Sequence, residues 1–283
     1  MLRVAVPNKG SLSEAAAALL SEAGYRQRRE RHELALVDPD NDVEFFFLRP
    51  RDIATYVAGG RIEVGITGRD LLLDNDAADD AVEVLGLDFA RSTFRWAALP
   101  GTAASLADLQ GSRIATSYPG LVRRHLAEHD VTAEVTRLDG AVETAVRLGV
   151  ADVVADVVET GRTLRAAGLE IFGEPILRSE AVVIRRKDAD DDPQVAQLLR
   201  RINGVVMARR YVMVDYDIRV EQLEPACALT PGIESPTVSP LHDQGWVAVR
   251  AMIERRTTNH VMDELWELGA RGILVTDILA CRV

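Results

Sequence analysis

The sequence is short of cysteine, of positive charge and of long apolar runs, and each shortage excludes a class of protein. Its 283 residues include two cysteines, Cys227 and Cys281, and no C-x-x-C pair, which argues against a disulfide framework or a redox motif. The net charge of -11 argues against nucleic acid or an anionic membrane as a partner. No apolar run is long enough to cross a bilayer, and no secretory signal peptide opens the sequence, so we predict a cytoplasmic protein.

Several common nucleotide-binding and catalytic motifs are also absent. The sequence has no G-x-G-x-x-G, no G-x-x-x-x-G-K-[ST] and no G-x-S-x-G, so the dinucleotide, P-loop and serine-hydrolase interpretations lose their main support. One metalloprotease pattern does occur, because "HLAEH", His125 to His129, fits H-x-x-E-H. Arginines precede it, Asp130 follows it and no third ligand is evident, so we interpret it as an exposed helix face.

Short apolar strands alternate with helices over most of the chain. The segments "LRVAVP", "DVEFFFLRP" and "EVGITG" have the composition of buried strands, and "SLSEAAAALLSEAGY" has that of a helix. Within this helix, Ser11 and Glu14 have the spacing of a capping box. The alternation predicts a mostly parallel α/β sheet, and a second unit of the same kind begins near Ser92.

The last part of the chain has a different order of elements. Its segments read as strand, helix, strand, strand, helix and strand, which is the ferredoxin-like order. A module of this kind attached to an α/β body is more often a small-molecule sensor or an assembly module than a catalytic one, although fold alone does not determine function.

The stretch "ADVVETGRTL", residues 155 to 164, combines an acid with a turn suited to an anion. Asp156 follows apolar strand residues, at the end of a strand where α/β sheets bind ligands, and its carboxylate can accept hydrogen bonds from sugar hydroxyls. The next turn offers backbone N–H groups, hydroxyls and a guanidinium to a phosphate, through Thr160, Gly161, Arg162 and Thr163. An ordinary helix cap has similar residues, but the neighbouring acid favours a ribose 5-phosphate site.

The surrounding stretch "ETAVRLGVADVVADVVETGRTL", Glu143 to Leu164, closely resembles the signature of the ATP phosphoribosyltransferase family. That signature has a Glu, a Gly six residues later, a small residue before Asp, a second Asp and then [ST]-G-x-T-[LM]. Position 157 is Val, where Ile or Leu is more usual in the family. The segments "VPNKGSL", "FFFLRPRDI", "GITGRD" and "SPTVSPL" also resemble family segments in the same order, so the resemblance covers essentially the whole chain and indicates the long form.

The resemblance implies a two-lobed, periplasmic-binding-protein-like (type II) catalytic core, followed by a C-terminal ferredoxin-like (βαββαβ) regulatory domain. Lobe I would comprise residues 1–91 and 184–209. Lobe II would comprise residues 92–183 and carry the phosphoribosyl diphosphate loop, and the regulatory domain would comprise residues 210–283. The family forms homo-oligomers, so a dimer and a hexamer are expected.

The resemblance also implies a reaction. The family joins N1 of ATP to C1 of 5-phosphoribosyl 1-diphosphate and releases diphosphate, which is the committing step of histidine biosynthesis, and histidine inhibits the enzyme. Mg²⁺ is required and is expected mainly on the substrate diphosphate. Asp152 and Asp156 would bind ribose hydroxyls, and Thr160, Gly161, Arg162 and Thr163 would hold the 5′-phosphate.

Charged residues at other strand ends complete the predicted sites. The resemblance favours Lys9 and Arg49 as cations that meet diphosphate or triphosphate, and Asp70 as a weaker candidate for orienting substrate. Without the resemblance, each of these could be a solvated loop charge. For histidine, the resemblance points to Asp217, Thr237 and the backbone near Gly272.

Two other functions remain open from the residues. One is a non-catalytic two-lobed small-molecule-binding protein or sensor, which would not need the complete ribose-phosphate arrangement. The other is a two-lobed dehydratase with a ferredoxin-like regulatory domain, which would not need the T-G-R-T turn.

Overall fold

The computed structural model describes residues 1–26, 33–75, 79–158 and 160–282. The chain forms two compact units, and the boundary between them follows Gln197. Within the described ranges, the strands are, in chain order, β1 (Leu2–Pro7), β2 (Ala35–Asp38), β3 (Val43–Leu48), β4 (Val64–Gly68), β5 (Ala81–Gly86), β6 (Ser92–Ala98), β7 (Arg113–Thr116), β8 (Glu134–Arg137), β9 (Val153–Val158), β10 (Glu170–Ser179), β11 (Ala181–Arg186), β12 (Tyr211–Arg219), β13 (Thr237–Pro240), β14 (Trp246–Glu254) and β15 (Arg271–Asp277).

The helices fill the connections between these strands. In the same described part of the chain they are α1 (Gly10–Glu22), α2 (Pro50–Ala58), α3 (Arg69–Asp74), α4 (Pro119–Glu128), α5 (Thr144–Arg147), α6 (Arg162–Ala166), α7 (Pro193–Arg210), α8 (Leu223–Leu229) and α9 (Thr258–Glu267). None of them has the length and apolar composition needed to span a membrane. Cys227 and Cys281 are both free thiols, as their spacing predicted.

The first unit contains two sheets joined by two crossings of the chain. One sheet has the order β2-β3-β1-β4-β11-β5, and the other has the order β10-β6-β9-β7-β8. In the first sheet β1 is parallel to β3 and β4, whereas β11 is antiparallel to both of its neighbours. In the second sheet β7 is parallel to β8 and β9, and β6 is antiparallel to β9 and β10. The predicted two-lobed α/β core is therefore confirmed, but the prediction of a mostly parallel sheet is wrong. Both sheets are mixed, because β2, β5, β6, β10 and β11 pair antiparallel with their described neighbours.

The chain returns to the first sheet earlier than the sequence suggested. β11 begins at Ala181, directly after Glu180, rather than at residue 184. The boundary between the two units also differs, because it lies inside α7 and not at residue 210. α7 is one continuous helix, and a Cβ atom at Gly204 would collide with the carbonyl oxygen of Cys281, so the end of the chain lies close against the later part of this helix.

Apolar residues and one glycine position the helices of the first sheet. β4 is buried at every position, as expected for a central strand with both faces covered. A Cβ atom at Gly65 in β4 would overlap the side chains of Ile53 and Val57, so glycine is needed for the close approach of α2. This contact fixes α2, and with it the residues of its first turn.

The first helix begins differently from the prediction. α1 starts at Gly10, has Lys9 as its N-cap residue and shows no side-chain capping hydrogen bond. Ser11 is therefore already inside the first turn, and the capping box predicted for Ser11 and Glu14 is wrong. Gly10 has a φ of +77°, which a residue with a side chain adopts only at a cost.

The second unit has the predicted ferredoxin-like order of elements. Its antiparallel sheet has the strand order β13-β14-β12-β15, and α8 and α9 supply the two helices. Along β12, buried and half-buried residues alternate, as expected for a sheet with one covered face. The covered face forms an apolar core that includes Tyr216, Ile218, Val249 and Leu265.

Candidate functional site

Three loops of the first sheet meet at one edge. β1 and β3 lie side by side with Pro7 opposite Leu48, so Lys9 and Arg49, which follow these strands, come to the same edge of the sheet. Both side chains are exposed. β4 is the other neighbour of β1 and ends just before Asp70. The structure thus brings the three predicted residues of this lobe to one edge.

Asp70 is the most enclosed of these residues. It is 9% exposed, and its carboxylate accepts a hydrogen bond of 2.7 Å from the hydroxyl of Ser179. The backbone N–H of Asp70 donates to the same hydroxyl at 3.1 Å. Ser179 ends β10 of the second sheet, so Asp70 connects the two lobes.

Tyr118 of the second lobe also contacts Asp70. Burial raises the pKa of the Tyr118 phenol, and the charge and hydrogen-bond acceptance of Asp70 raise it further, because both favour the protonated form. The negative charge of Asp156 acts on Tyr118 in the same direction. Tyr118 is therefore held as a neutral hydrogen-bond donor to the carboxylate of Asp70.

Arg51 and Asp74 form a second connection between the lobes. The Arg51 guanidinium pairs with Asp74, donates to the carbonyl oxygen of Ser117 at 2.9 Å and lies 4.9 Å from the centroid of the Tyr118 ring. The other oxygen of Asp74 accepts backbone N–H bonds at the start of α4, from Gly120 at 2.8 Å and Leu121 at 3.1 Å. The segment that carries Tyr118 is thus held from the first lobe.

Asp156 lies near the carboxyl end of β9, as the sequence predicted. Burial raises the pKa of its carboxyl group, and the nearby charge of Glu143 raises it further, although a hydrogen bond from the Val157 N–H opposes this shift. That bond is 2.8 Å long. Asp156 is thus a partly buried acid whose charged form is disfavoured by its surroundings. Hydrogen-bond donors of a ligand, or a bound cation, would stabilise that charged carboxylate.

The predicted phosphate turn follows directly. Gly161 is buried and adopts a φ of +68°, and a Cβ atom there would lie 3.2 Å from Cδ1 of Ile171. Thr160, Arg162 and Thr163 are exposed, so their polar groups can reach a ligand. Glycine is needed here both for the left-handed backbone and for the close contact with Ile171.

The structure does not bring Asp152 to this turn. Asp152 precedes the first residue of β9, and its carboxylate accepts hydrogen bonds from the Arg113 guanidinium at 2.7 and 3.1 Å and from the Arg113 N–H at 2.9 Å. The length of β9 separates it from the turn, by about 3.3 Å per residue. The prediction that Asp152 and Asp156 bind the same ribose is therefore contradicted, and Asp152 instead joins β7 to β9.

Sequence reasoning missed Arg51, Tyr118 and Ser179. "FFFLRPRDI" contains both Arg49 and Arg51, but the direction of each side chain follows from the start of α2 at Pro50, which the sequence does not fix. The signal available for Tyr118 was its place after a strand in "SRIATSYPG", at the same kind of strand end as Asp156.

Two cavities border the residues that connect the two lobes, one beside Ser179 and one beside Arg51 and Asp74. One of about 400 Å³ is lined by residues around Ser179, namely Arg69, Arg91, Ser92, Thr93, Val158, Arg178 and Glu180. The other, of about 520 Å³, is lined by Arg51, Thr55, Leu71, Asp74, Asn75, Pro119, Gly120, Arg123 and Arg137. Each cavity is lined by three arginines, but most of these are paired with carboxylates, such as Arg69 with Glu180 and Arg51 with Asp74. An anionic ligand would therefore compete with those carboxylates for the guanidinium groups.

In the second unit, the predicted effector residues lie on the face of the sheet opposite the helices. Thr237 pairs with Arg250 across β13 and β14, and Arg250 pairs with Asp215 across β14 and β12. Asp217 is two residues further along the same face, and one of its carboxylate oxygens lies 3.5 Å from where a Cβ of Gly272 would be. The structure therefore brings Asp217 and Gly272 into contact and places Thr237 two strands away from Asp217.

Known proteins resemble this chain over its whole length. The sequence model described as "HisG: ATP phosphoribosyltransferase" matches residues 49–204, and that described as "HisG, C-terminal domain" matches residues 208–280. The ATP phosphoribosyltransferase of Streptomyces coelicolor is 64% identical over 287 residues, and that of Kocuria rhizophila is 64% identical over 283 residues. Both alignments cover 100% of each chain.

A solved structure of an ATP phosphoribosyltransferase is also similar to this chain. A chain of the "ATP phosphoribosyl transferase (HisG:HisZ) complex from Thermotoga maritima" aligns with a TM-score of 0.63 and 27% identity, covering 73% of this chain and 98% of that chain. Part of this chain therefore has no counterpart there. The two family matches and the full-length identities show that this chain belongs to the ATP phosphoribosyltransferase family, the pentosyltransferases that carry out the first step of histidine biosynthesis.

Proposed function

We propose that Asp156 and the turn from Thr160 to Thr163 bind the ribose and the 5′-phosphate of 5-phosphoribosyl 1-diphosphate. The observation that carries this assignment is the environment of Asp156. Burial and the charge of Glu143 disfavour its carboxylate, and two sugar hydroxyls would supply the donors that offset this cost. The adjacent turn provides a glycine backbone and exposed hydroxyls for the phosphate.

The edge of the first sheet that carries Lys9, Arg49 and Asp70 suits the diphosphate and the nucleotide. Lys9 and Arg49 are exposed cations at neighbouring strand ends, so they can meet phosphate groups without first breaking a buried ion pair. Tyr118 and Ser179 fix the orientation of the Asp70 carboxylate. We assign Asp70 to orienting the adenine-bearing substrate, because a carboxylate held by two donors keeps a defined direction.

The reaction that follows is displacement at the anomeric carbon. N1 of the adenine ring is already a nucleophile, so it attacks C1 of the ribose while the diphosphate leaves from the same carbon. Positive charge develops on the sugar ring and negative charge on the diphosphate, and little proton transfer is required. Catalysis by this chain therefore consists of positioning the two substrates and stabilising charge.

The partly buried carboxylate of Asp156 also fits the expected Mg²⁺. This ion prefers oxygen ligands and keeps several waters, and a cation near Asp156 would offset the repulsion from Glu143 that raises the Asp156 pKa. Asp156 is the residue that would hold it together with the substrate diphosphate. When bound, Mg²⁺ would neutralise part of the charge of the leaving diphosphate.

The C-terminal domain is assigned to feedback inhibition by histidine and to assembly. Asp217 lies against the backbone of Gly272, so a ligand with an ammonium or imidazolium group could bind the carboxylate beside the strand. Thr237 lies two strands away on the same face, which suits a second contact from a neighbouring subunit. We therefore propose that the chain acts as a homo-oligomer, a dimer and a hexamer, in the cytoplasm.

The assignment of the ribose site is tested with Asp156→Asn. Purified enzyme is mixed with ATP, 5-phosphoribosyl 1-diphosphate, Mg²⁺ and pyrophosphatase, and product is followed by the absorbance of the adenine ring. The variant should raise KM for 5-phosphoribosyl 1-diphosphate far more than KM for ATP, by about tenfold or more, since a hydrogen bond to a charged group contributes about 1.5–3 kcal/mol. Equal loss for both substrates would refute the ribose assignment, and no turnover by the unchanged, folded chain would favour a non-catalytic binding protein.

The regulatory assignment is tested with Asp217→Ala in the same assay. The variant should keep its turnover and lose inhibition by histidine, because the carboxylate lies outside the catalytic unit. Asp215→Ala is the matched control, since Asp215 lies on the same face but pairs with Arg250 at 2.7 Å. Unchanged inhibition of Asp217→Ala would move the histidine site elsewhere.

A further inference from the structure

Three metal-binding side chains meet at the end of α4, outside the proposed catalytic cluster. His125, Glu128 and His129 each offer one donor atom, and these atoms lie within 4.8 Å of one another. The two imidazole centroids are 4.4 Å apart. The sequence was interpreted as an exposed helix face without a third ligand from outside the motif. The structure places the motif's own Glu128 within reach of both imidazoles, on the same face of the helix as His125.

A backbone hydrogen bond prepares His129 for a metal. Its Nδ1 lies 2.8 Å from the carbonyl oxygen of His125. A carbonyl oxygen can only accept, so Nδ1 carries the proton and Nε2 of the neutral ring presents its lone pair. A second-shell bond of this kind fixes the tautomer of most metal-binding histidines.

The position of the His125 ring is fixed by packing. It is half-buried, and its ring centroid lies 6.1 Å from that of Trp96, which is 2% exposed. The arginines just before it point to other partners, since Arg124 donates to the Asn75 carbonyl at 2.8 Å and Arg123 lies 3.5 Å from the Val135 carbonyl. The negative end of the α4 dipole further favours a cation here.

We propose that His125, Glu128 and His129 bind a divalent transition metal ion of the Zn²⁺ class, with an open position for water. Zn²⁺ binds imidazole nitrogen at about 2.0–2.1 Å, which places tetrahedral ligands about 3.4 Å apart. Rotation of the exposed Glu128 side chain, and a tilt of the His129 ring that keeps its Nδ1 bond to the His125 carbonyl, close the difference from the observed spacing. Two nitrogen donors and one carboxylate suit Zn²⁺, Co²⁺ or Ni²⁺ and disfavour Mg²⁺, so this site differs from the one proposed for the reaction.

The experiment uses the full-length, chelator-treated protein and two probes, Zn²⁺ and Co²⁺. Isothermal titration with Zn²⁺ should show one equivalent bound in the micromolar range. Co²⁺ should give visible absorption bands and, in a background with Trp246→Phe and Trp266→Phe, quench the fluorescence of Trp96. Millimolar Mg²⁺ should displace neither ion. His129→Gln, at an exposed position, should weaken binding at least about tenfold, and Glu128→Gln should weaken it in the same direction.

His260→Gln is the matched control, because His260 is also an exposed helical histidine with a carboxylate neighbour, Glu264, at 3.3 Å. It should bind Zn²⁺ like the unchanged chain. Absence of binding, or equal affinity of the unchanged chain and His129→Gln, would overturn the proposal. Binding that disappears when Cys227 and Cys281 are blocked, and not in His129→Gln, would overturn it too. These readouts do not depend on catalysis, so they separate this site from the proposed function.

Discussion

Replacing Asp74 by alanine is the sharpest test of how the first unit is held together. The Asp74 side chain is 5% exposed, and it pairs with Arg51 of α2. Its other oxygen accepts the N–H groups of Gly120 and Leu121 at the start of α4. One carboxylate therefore serves as ion-pair partner and as helix cap across the two lobes, and Asp74→Ala removes both interactions.

The expected loss follows from these two interactions. Removing a helix cap costs about 0.5–2 kcal/mol. Breaking a fully buried ion pair costs about 3–5 kcal/mol, but the Arg51 side chain is 35% exposed, so water can solvate its charge and we expect about 1–2 kcal/mol for this part. Together the unfolding free energy of the first unit should fall by about 1.5–4 kcal/mol.

The measurement is urea unfolding followed by the fluorescence of Trp96, in a background where Trp246 and Trp266 are replaced by Phe. Trp96 then reports the first unit alone. Asp139→Ala is the control, since Asp139 pairs with Arg137 but is 78% exposed, and it should lose less than about 1 kcal/mol. If Asp74→Ala loses no more than Asp139→Ala, Asp74 does not join the lobes as described.

Two further predictions concern the residues around Asp70 and Asp156. Burial and the charge of Glu143 raise the pKa of Asp156, so its charged form destabilises the folded chain above the folded pKa and has no effect below the unfolded pKa. Asp156→Asn should therefore melt at a higher temperature than the unchanged chain near pH 7 but not near pH 3. An equal difference at both pH values would contradict this. Tyr118→Phe removes the donor to Asp70 and should lower the unfolding free energy by about 1.5–3 kcal/mol and also lower kcat/KM. Tyr56→Phe, at 44% exposure, should change neither, and a Tyr118→Phe variant that matches it would remove Tyr118 from the site.

The sequence predicted the architecture better than it predicted individual contacts. Alternating strands and helices, and the change to a ferredoxin-like order near the end, follow from apolar periodicity, which the fold preserves. The capping box failed because α1 begins at Gly10, and helix boundaries depend on the preceding strand as much as on local residues.

The candidate site could be predicted from the sequence where its residues lie close together along the chain. Asp156 lies near the end of β9 and Gly161 lies in the turn that follows, five residues later, so a local pattern was sufficient. Asp152 shares the signature and is also an acid beside β9, but a signature does not say at which end of a strand a residue lies, and Arg113 binds it at the far end. Arg51 and Tyr118 come from different lobes, and only the fold brings them together.

The strand order of the first unit also sets an order of events during synthesis. All strands of the β10-β6-β9-β7-β8 sheet lie between Ser92 and Ser179, whereas the other sheet needs β11 between β4 and β5. A ribosome therefore delivers the complete second sheet before the first one can close, and β4 and β5 must wait without their shared neighbour. Domains usually fold from the N-terminus as they emerge from the ribosome. In this enzyme, however, the N-terminal sheet is completed after the second sheet. Until β11 is synthesised, the unpaired edges of β4 and β5 are the part of the nascent chain most in need of protection from aggregation.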